Sequence, residues 1–270
     1  MRSINAHPFG GRAIFCLALL FLSGCAAPRP AVPPVERFDQ AQIERALSSI
    51  RDAQQRVRAF FCTGTLLVRE NDGESTLRIL TLGTRKPFRL RVEVSHPWGG
   101  PLFHLLLRES TQGLISFSEK KYYTWKGGLE KVPRFFPGPI PVRHLWGLLQ
   151  GRPVLYQGLR ADSPTPGKIA LRDEHGRVLQ VLYLPGPDAP PVALEYPLMG
   201  LRVAFSRLET EAGIPHARQI TVRHHPSGRR IRIRVTKMVF NGSIPDPVFA
   251  LRLPPGFQTI SLDADESTRH

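Results

Sequence analysis

The sequence predicts a mainly β protein built on one curved antiparallel sheet or barrel of roughly ten or eleven strands. Polar and apolar residues alternate cleanly over 88–95 and 230–236. Weaker alternations occupy five further segments: 64–69, 76–82, 177–184, 201–207 and 218–224. Turn-forming residues such as Asn71-Asp72-Gly73 and Pro226-Ser227-Gly228 separate the segments. Alternation indicates strands with one buried face, and the gaps are too short for the helices of a parallel α/β sheet.

Composition narrows the class of protein further. The 270 residues include 23 Gly and 26 Pro, which is too many turn formers for a coiled coil. With 37 Lys and Arg against 22 Asp and Glu, the formal net charge is +15. This excess predicts an anionic partner, which on composition alone is nucleic acid, a membrane or an acidic protein.

Residues 1–24 have the pattern of an export signal. Arg2 and Arg12 precede an apolar run over 13–22, which is too short to span a bilayer. Leu22-Ser23-Gly24-Cys25 resembles a bacterial lipobox, so Cys25 is expected to carry lipid and to begin the mature chain. An uncleaved amphipathic anchor or an ordinary signal remains the alternative. Removal of the signal lowers the net charge to +13.

Residues 25–35 are predicted to form a lipidated cysteine followed by a Pro-rich tether. In lipoproteins of this type, Ala26 implies sorting to the outer membrane rather than retention in the inner one. The resemblance therefore implies a lipid-anchored protein that faces the periplasm of a Gram-negative-type bacterium.

Two helices are expected beside the strands. The first covers 40–58, with Asp39 and Gln42 as a capping box and with Phe38 and Ile43 as a hydrophobic staple. Its apolar face comprises Ile43, Ala46, Leu47, Ile50, Ala53 and Val57. The second is a short, strongly apolar helix that follows Pro139-Ile140-Pro141, covers 142–150 and ends at Gly151. It requires an apolar surface to cover.

Residues that could carry catalysis or bind a metal form no recognisable motif. His224 and His225 are adjacent but flanked by arginine, and a solvent-exposed turn explains them better than a metal site. Cys62 lies among aromatic residues and is interpreted as a buried apolar residue, with a reactive thiol as the alternative. We therefore expect no enzyme activity, no metal and no cofactor.

Two surface features point to a partner. The arginines of 230–236 form either a solvated face or a basic patch for acidic headgroups or an acidic protein. Trp98 lies between Pro97 and Gly99 in a segment joining two strands. It either projects toward a membrane interface or a protein, or folds back into the core. No platform of aromatic and basic residues is present, so nucleic acid is not expected.

In the order of these motifs the chain resembles the LolA/LolB family, whose members carry lipoproteins to the outer membrane, and LolB in particular. A lipobox and an amphipathic helix precede a first strand containing Gly64. A Pro-apolar-Gly loop, Pro97-Trp98-Gly99, follows the third strand, and Pro139-Ile140-Pro141 leads into a helix. The domain is predicted to cover 36–257, with a flexible polar tail at 258–270.

The resemblance implies an unclosed antiparallel barrel whose helices plug its concave apolar side around a cavity for acyl chains. The expected lining residues are Leu66, Val68, Leu77, Ile79, Leu90, Val92, Leu145, Trp146 and Leu149. The loop of Pro97, Trp98 and Gly99 takes the position of the family's membrane-insertion loop. The expected partners are lipoprotein acyl chains or other lipid, the outer membrane and a periplasmic LolA-like carrier. A monomer is expected.

Three functions remain open at this stage. The first is insertion of lipoproteins into the outer membrane, and the second is binding of lipid or glycolipid on the same fold. The third is a structural or regulatory envelope lipoprotein with a filled core, since a filled core gives the same apolar pattern as a cavity.

Overall fold

The computed structural model describes residues 36–70, 73–132 and 140–263. Cys25, the signal segment and the tether up to residue 35 therefore lie outside the described residues. Within them the chain forms two α-helices, α1 (Gln40–Gln55) and α2 (Val142–Leu148). The fourteen strands, in chain order, are β1 (Ala59–Glu70), β2 (Gly73–Thr84), β3 (Arg89–Ser95), β4 (Pro101–Arg108), β5 (Gln112–Ser116), β6 (Lys121–Trp125), β7 (Arg160–Asp162), β8 (Lys168–Arg172), β9 (Val178–Tyr183), β10 (Ala193–Tyr196), β11 (Leu201–Glu211), β12 (Ile214–His224), β13 (Arg230–Phe240) and β14 (Gln258–Ser261).

All fourteen strands belong to one sheet that does not close into a barrel. Their order is β14-β6-β5-β4-β3-β2-β1-β13-β12-β11-β10-β9-β8-β7. The first strand, β1, therefore pairs with the late strand β13 at the centre of the sheet. The mainly β fold and the unclosed sheet are thus confirmed. The strand number exceeds the expected ten or eleven because β7, β10 and β14 have only three or four residues, too few for an alternation to show.

The ordered domain continues past the predicted boundary at residue 257. Strand β14 pairs in parallel with β6, the one parallel pairing among the described strands. Beyond it, the Leu262 N–H donates to the Thr124 carbonyl at 2.9 Å, and the Asp263 carboxylate lies 3.0 Å from Lys131 Nζ. A flexible tail from residue 258 was therefore the wrong boundary. Local sequence gives no sign of pairing with a strand more than 130 residues away.

Helix α1 begins with the predicted capping box. The Gln42 N–H donates to Asp39 Oδ1 at 2.8 Å, and the Asp39 N–H donates to Gln42 Oε1 at 2.9 Å. The helix ends at Gln55, three residues before the expected end, because the Arg58 N–H donates to Asn241 Oδ1 at 2.7 Å and leads the chain into β1. Val57 is still fully buried.

The face of the sheet that α1 and α2 cover, called the inner face below, is apolar along its central strands. Two glycines shape it. Gly64 lies at the β-bulge between β1 and β13, where a Cβ would be 2.3 Å from the Arg234 carbonyl oxygen. Gly83 lies under Trp146 of α2, where a Cβ would be 2.5 Å from Trp146 Cζ3. Trp146 also packs edge-on against Phe60, with ring centroids 4.9 Å apart.

We predict that Gly83→Ala destabilises the protein by about 2 kcal/mol, because the new methyl overlaps Trp146 and the Arg89 carbonyl oxygen, 2.7 Å away. Urea unfolding followed by circular dichroism measures the loss. Gly242→Ala is the matched control, since its Cβ meets only Val239 Cγ1 at 3.5 Å. Equal stabilities for the two variants would contradict the close contact between α2 and the sheet.

Candidate functional site

Trp98 projects from a loop at one end of the strands. It lies in the loop between β3 and β4, where the Gly99 N–H donates to the His96 carbonyl at 2.9 Å and Gly99 has φ +99°. The Trp98 side chain is 80% exposed and stacks on the His96 ring at 4.4 Å. The expectation that Trp98 points outward, rather than into the core, is confirmed. Its role in membrane insertion stays a prediction.

A second exposed apolar side chain lies at the same end of the strands. Leu198, in the connection between β10 and β11, is 65% exposed. Because neighbouring strands run antiparallel, this connection, the Trp98 loop and the β12–β13 turn all lie at the same end of the strands, along one rim of the sheet. We call this rim the Trp98 edge. Strands β2, β1, β13 and β12 lie between the two strand pairs that carry these loops, so Trp98 and Leu198 are two separate exposed apolar side chains rather than one contiguous patch.

Arginines form a row on the outer face beside the Trp98 edge. Arg69 lies opposite Arg230, Arg230 opposite Arg223, and Arg223 opposite Arg202 on successive strands. The row ends where Arg202 Nη1 lies 3.5 Å from Glu195 Oε2. Burial, and then repulsion by Arg223, lower the pKa of Arg230. Directly opposed like charges destabilise a sheet, so the row is a structural cost.

Helix α2 is held by its ends as well as by its apolar face. His144 Nδ1 lies 2.8 Å from the Tyr196 hydroxyl of β10, inside the core. At the C-terminal end, the Arg152 N–H donates to the Gly147 carbonyl and the Gly151 N–H to the Leu148 carbonyl, with Gly151 at φ +67°. These bonds form a Schellman motif, as expected from the capping Gly151.

The nine residues predicted to line a cavity all belong to one hydrophobic cluster between the inner face and the two helices. Seven are buried, while Val68 and Leu77 are partly buried and pack against the cluster. The structure therefore brings them together, but α2 fills the space between them. Of the nine, Ile79 borders a groove on the outer face and Trp146 borders a pocket beside α2. Their role in binding acyl chains remains a prediction.

Two cavities lie on the outer face of the sheet. A 310 Å³ cavity with mostly apolar walls lies on the outer face, where Phe61 and Leu82 meet Ile244 and Val248. A 520 Å³ groove on the outer face reaches Gly99 of the Trp98 loop and includes Arg78 and Glu93. None of the nine predicted residues lines the first of these, because that cavity forms between the sheet and a segment that has no strand or helix pattern.

A buried arginine escaped the sequence analysis. Arg152 is 4% exposed, and it lies with Arg85 and Arg143 in a 280 Å³ pocket beside α2. The sequence feature that could have predicted this burial is the position of Arg152 directly after the helix-capping Gly151, where the chain turns back toward the core. A charged residue is usually solvent-exposed, so the sequence reading passed over it.

Cys62 is buried, and burial raises the pKa of its thiol to about 11, which supports the apolar interpretation.

His224 Nδ1 lies 2.7 Å from Ser227 Oγ in an exposed turn. In 36–70, 73–132 and 140–263, no three His, Cys, Asp or Glu residues are grouped as metal ligands. Over the same residues, no helix has the length and apolarity to cross a bilayer.

Comparison with known proteins defines the fold. No protein-family model matches the chain, and no curated protein matches it. A DUF1329 family protein from Desulfovibrio piger is similar with a TM-score of 0.54 and 10% identity, over 78% of this chain and 96% of that one. A LolA superfamily protein from Nitrosomonas europaea has a TM-score of 0.52 and 14% identity, over 76% and 97%. The chain thus shares its fold with these two proteins, one of which belongs to the LolA superfamily, and at this identity the likeness shows the fold alone.

We predict a pH dependence from His144. Burial, followed by repulsion from Arg143, lowers the pKa of His144 from 6.5 to about 4. The unfolded chain binds the extra proton first, so stability is lost as pH falls from about 6.5 to 4. Between pH 7.5 and 4.5 this contribution amounts to about 2 kcal/mol.

Urea unfolding at the two pH values tests this. His144→Gln, which stays uncharged, should lose about 2 kcal/mol less than the original protein over the same interval, because other titrating groups are shared. An identical pH dependence in both proteins would show that His144 does not couple protonation to folding.

Proposed function

We propose that this protein binds the acyl chains of lipoproteins at its apolar inner face and helps to insert them into the outer membrane, in the manner of LolB. It is a non-enzymatic, monomeric lipoprotein anchored through Cys25. It faces the periplasm and receives its cargo from a LolA-like carrier. The fold that this chain shares with a LolA superfamily protein supports binding of lipoproteins or other lipids as the general activity.

The observation that carries the proposal is the exposed Trp98. A filled core explains the buried apolar residues equally well, but folding does not explain an indole that is 80% exposed at a loop tip. Trp prefers the interface of a membrane, where its ring is buried and its N–H stays hydrated. Leu198 at the same edge adds apolar area for such a contact.

The arginine row supports the same orientation. Four arginines beside the Trp98 edge lower the stability of the sheet but attract a surface of anionic headgroups. With Trp98 and Leu198 in the interface, Arg69 and Arg230 come near the headgroup layer. The charge excess and the exposed apolar residues then serve one contact.

Acyl binding requires movement of α2. Each methylene in water costs about 0.8 kcal/mol, so three chains need apolar cover. In the structure, Leu145, Trp146 and Leu149 occupy the apolar inner face. The chains must therefore displace this seven-residue helix, and its return to the sheet releases them. Such exchange gives the modest affinity that a transfer protein needs.

The membrane contact is tested with residues 36–270, which lack the anchor. Trp98→Ala should weaken binding to vesicles containing phosphatidylglycerol about ten-fold, because an aromatic side chain no longer enters the interface. Leu208→Ala is the control, since Leu208 is 42% exposed and lies on β11 away from the Trp98 edge. Vesicle sedimentation measures both. Equal binding by the two variants would remove Trp98 from the membrane contact.

Lipoprotein insertion is tested in the native cell and in vitro. Depletion of the protein should leave outer-membrane lipoproteins in the periplasm, and the full-length protein in liposomes should accept a triacylated lipoprotein from a LolA-like carrier. Normal sorting after deletion would contradict the proposal. Mass spectrometry of the purified protein identifies a bound phospholipid or glycolipid if the cargo is free lipid instead.

A further inference from the structure

The pocket beside α2 contains an unusual concentration of positive charge. Arg85, Arg143 and Arg152 line it, and no Asp or Glu does. None of the three arginines forms an ion pair with a described carboxylate. Of the three, Arg152 is buried, Arg85 is half-buried and Arg143 is exposed. A buried charge in a protein is normally paired, so Arg152 lacks a counter-charge within the described protein.

Two buried donors in this pocket have no acceptor in the described protein. Arg152 Nη1 and Gln150 Nε2 are both inaccessible and without a hydrogen-bond partner. Burial, and then repulsion by Arg56 and Arg85, lower the pKa of Arg152 to about 10, so the guanidinium is still charged at neutral pH. Arg152 also borders a second cavity near Asp188, but that carboxylate is exposed and lies near Arg45, at 3.9 Å.

The pocket is built rather than incidental. The Schellman motif fixes the backbone of Arg152, and Gly151 accepts a hydrogen bond from the Ala217 N–H at 2.9 Å. Arg85 is fixed by a bond from its Nη2 to the Gln54 carbonyl at the end of α1. The backbone of Arg152 and the side chain of Arg85 are therefore held in place by helix ends on the two sides of the pocket.

We propose that this pocket binds a phosphate group, either free phosphate or the headgroup of an anionic lipid. Arginine forks match the oxygens of a phosphate in pairs, and a doubly charged oxyanion would balance most of three guanidinium charges. Phe88 and Trp146 complete the wall, and their rings lie 5.8 Å apart. Because Trp146 also contacts Phe60 on the inner face, a lipid phosphate here would place its chain beside the acyl region. This lipid source rests on the proposed function, whereas the phosphate site does not.

The probes are inorganic phosphate and dihexanoyl phosphatidic acid, titrated calorimetrically into the full-length protein in a nonionic detergent. We expect saturable binding of phosphate that weakens with salt. Phosphatidic acid binding about ten-fold tighter than phosphate identifies a lipid headgroup as the ligand, and equal affinity identifies free phosphate. Dihexanoylglycerol, which lacks the phosphate, corrects for partition into the detergent.

Variants separate the site from the rest of the surface charge. Arg152→Met keeps the apolar stem and should weaken phosphate binding at least about ten-fold. Arg143→Gln, on the exposed side of α2, should weaken it about three-fold and serves if the first variant fails to fold. Arg51→Gln, on the exposed face of α1, is the matched control and should bind as the original protein does.

Two results would overturn the phosphate site: no saturable binding of either probe, or unchanged binding by a folded Arg152→Met or, in its place, by Arg143→Gln. Binding of a fluorescent fatty-acyl probe, measured in parallel, keeps the two proposals apart. If the original protein binds phosphate but no acyl probe, the proposed function fails while the phosphate site stands. If Arg152→Met loses phosphate but keeps the acyl probe, both stand.

Discussion

Because the sheet is open, its apolar inner face has to be covered by other parts of the chain, and this constraint shapes the rest of the molecule. A closed barrel would bury that face against itself, but here the sheet ends at β14 and β7. Two helices provide the cover, and α2 has only seven residues. Gly83, the Trp146–Phe60 contact and the bond between His144 and Tyr196 all serve to hold this small helix against a large surface. Because α2 is short and takes no part in the strand pairing, it is the element best suited to move.

The ends of the sheet are handled differently from its centre. The central pair β1 and β13 is long, whereas β7 has three residues and β14 has four. Short edge strands offer little backbone for pairing with another chain, which supports the proposal of a monomer. The large apolar surface of the molecule is thus protected by helices on its face and by short strands at its edges.

Sequence reasoning found the features that depend on neighbouring residues. The capping box of Asp39 and Gln42, the αL glycine at Gly151 and the outward Trp98 between Pro97 and Gly99 all have local causes. It missed features that depend on distant contacts. Strand β14 pairs with a strand far away in sequence, and Arg152 is buried beside α1 residues that precede it by about a hundred positions. The same alternation describes a cavity wall and a packed core, so the sequence could place the nine inner-face residues but not the space between them.

The reactivity of the Cys62 thiol reports on whether the helices cover the sheet. Its side chain is 2% exposed and points to the inner face beneath the helices, and the high pKa of its thiol keeps it unreactive while the cover is closed. Departure of the cover from the sheet would bring the thiol into contact with water and restore ordinary thiolate chemistry. The rate at which a thiol reagent modifies this one position therefore measures how often the native protein opens, without any added label and without unfolding the sheet.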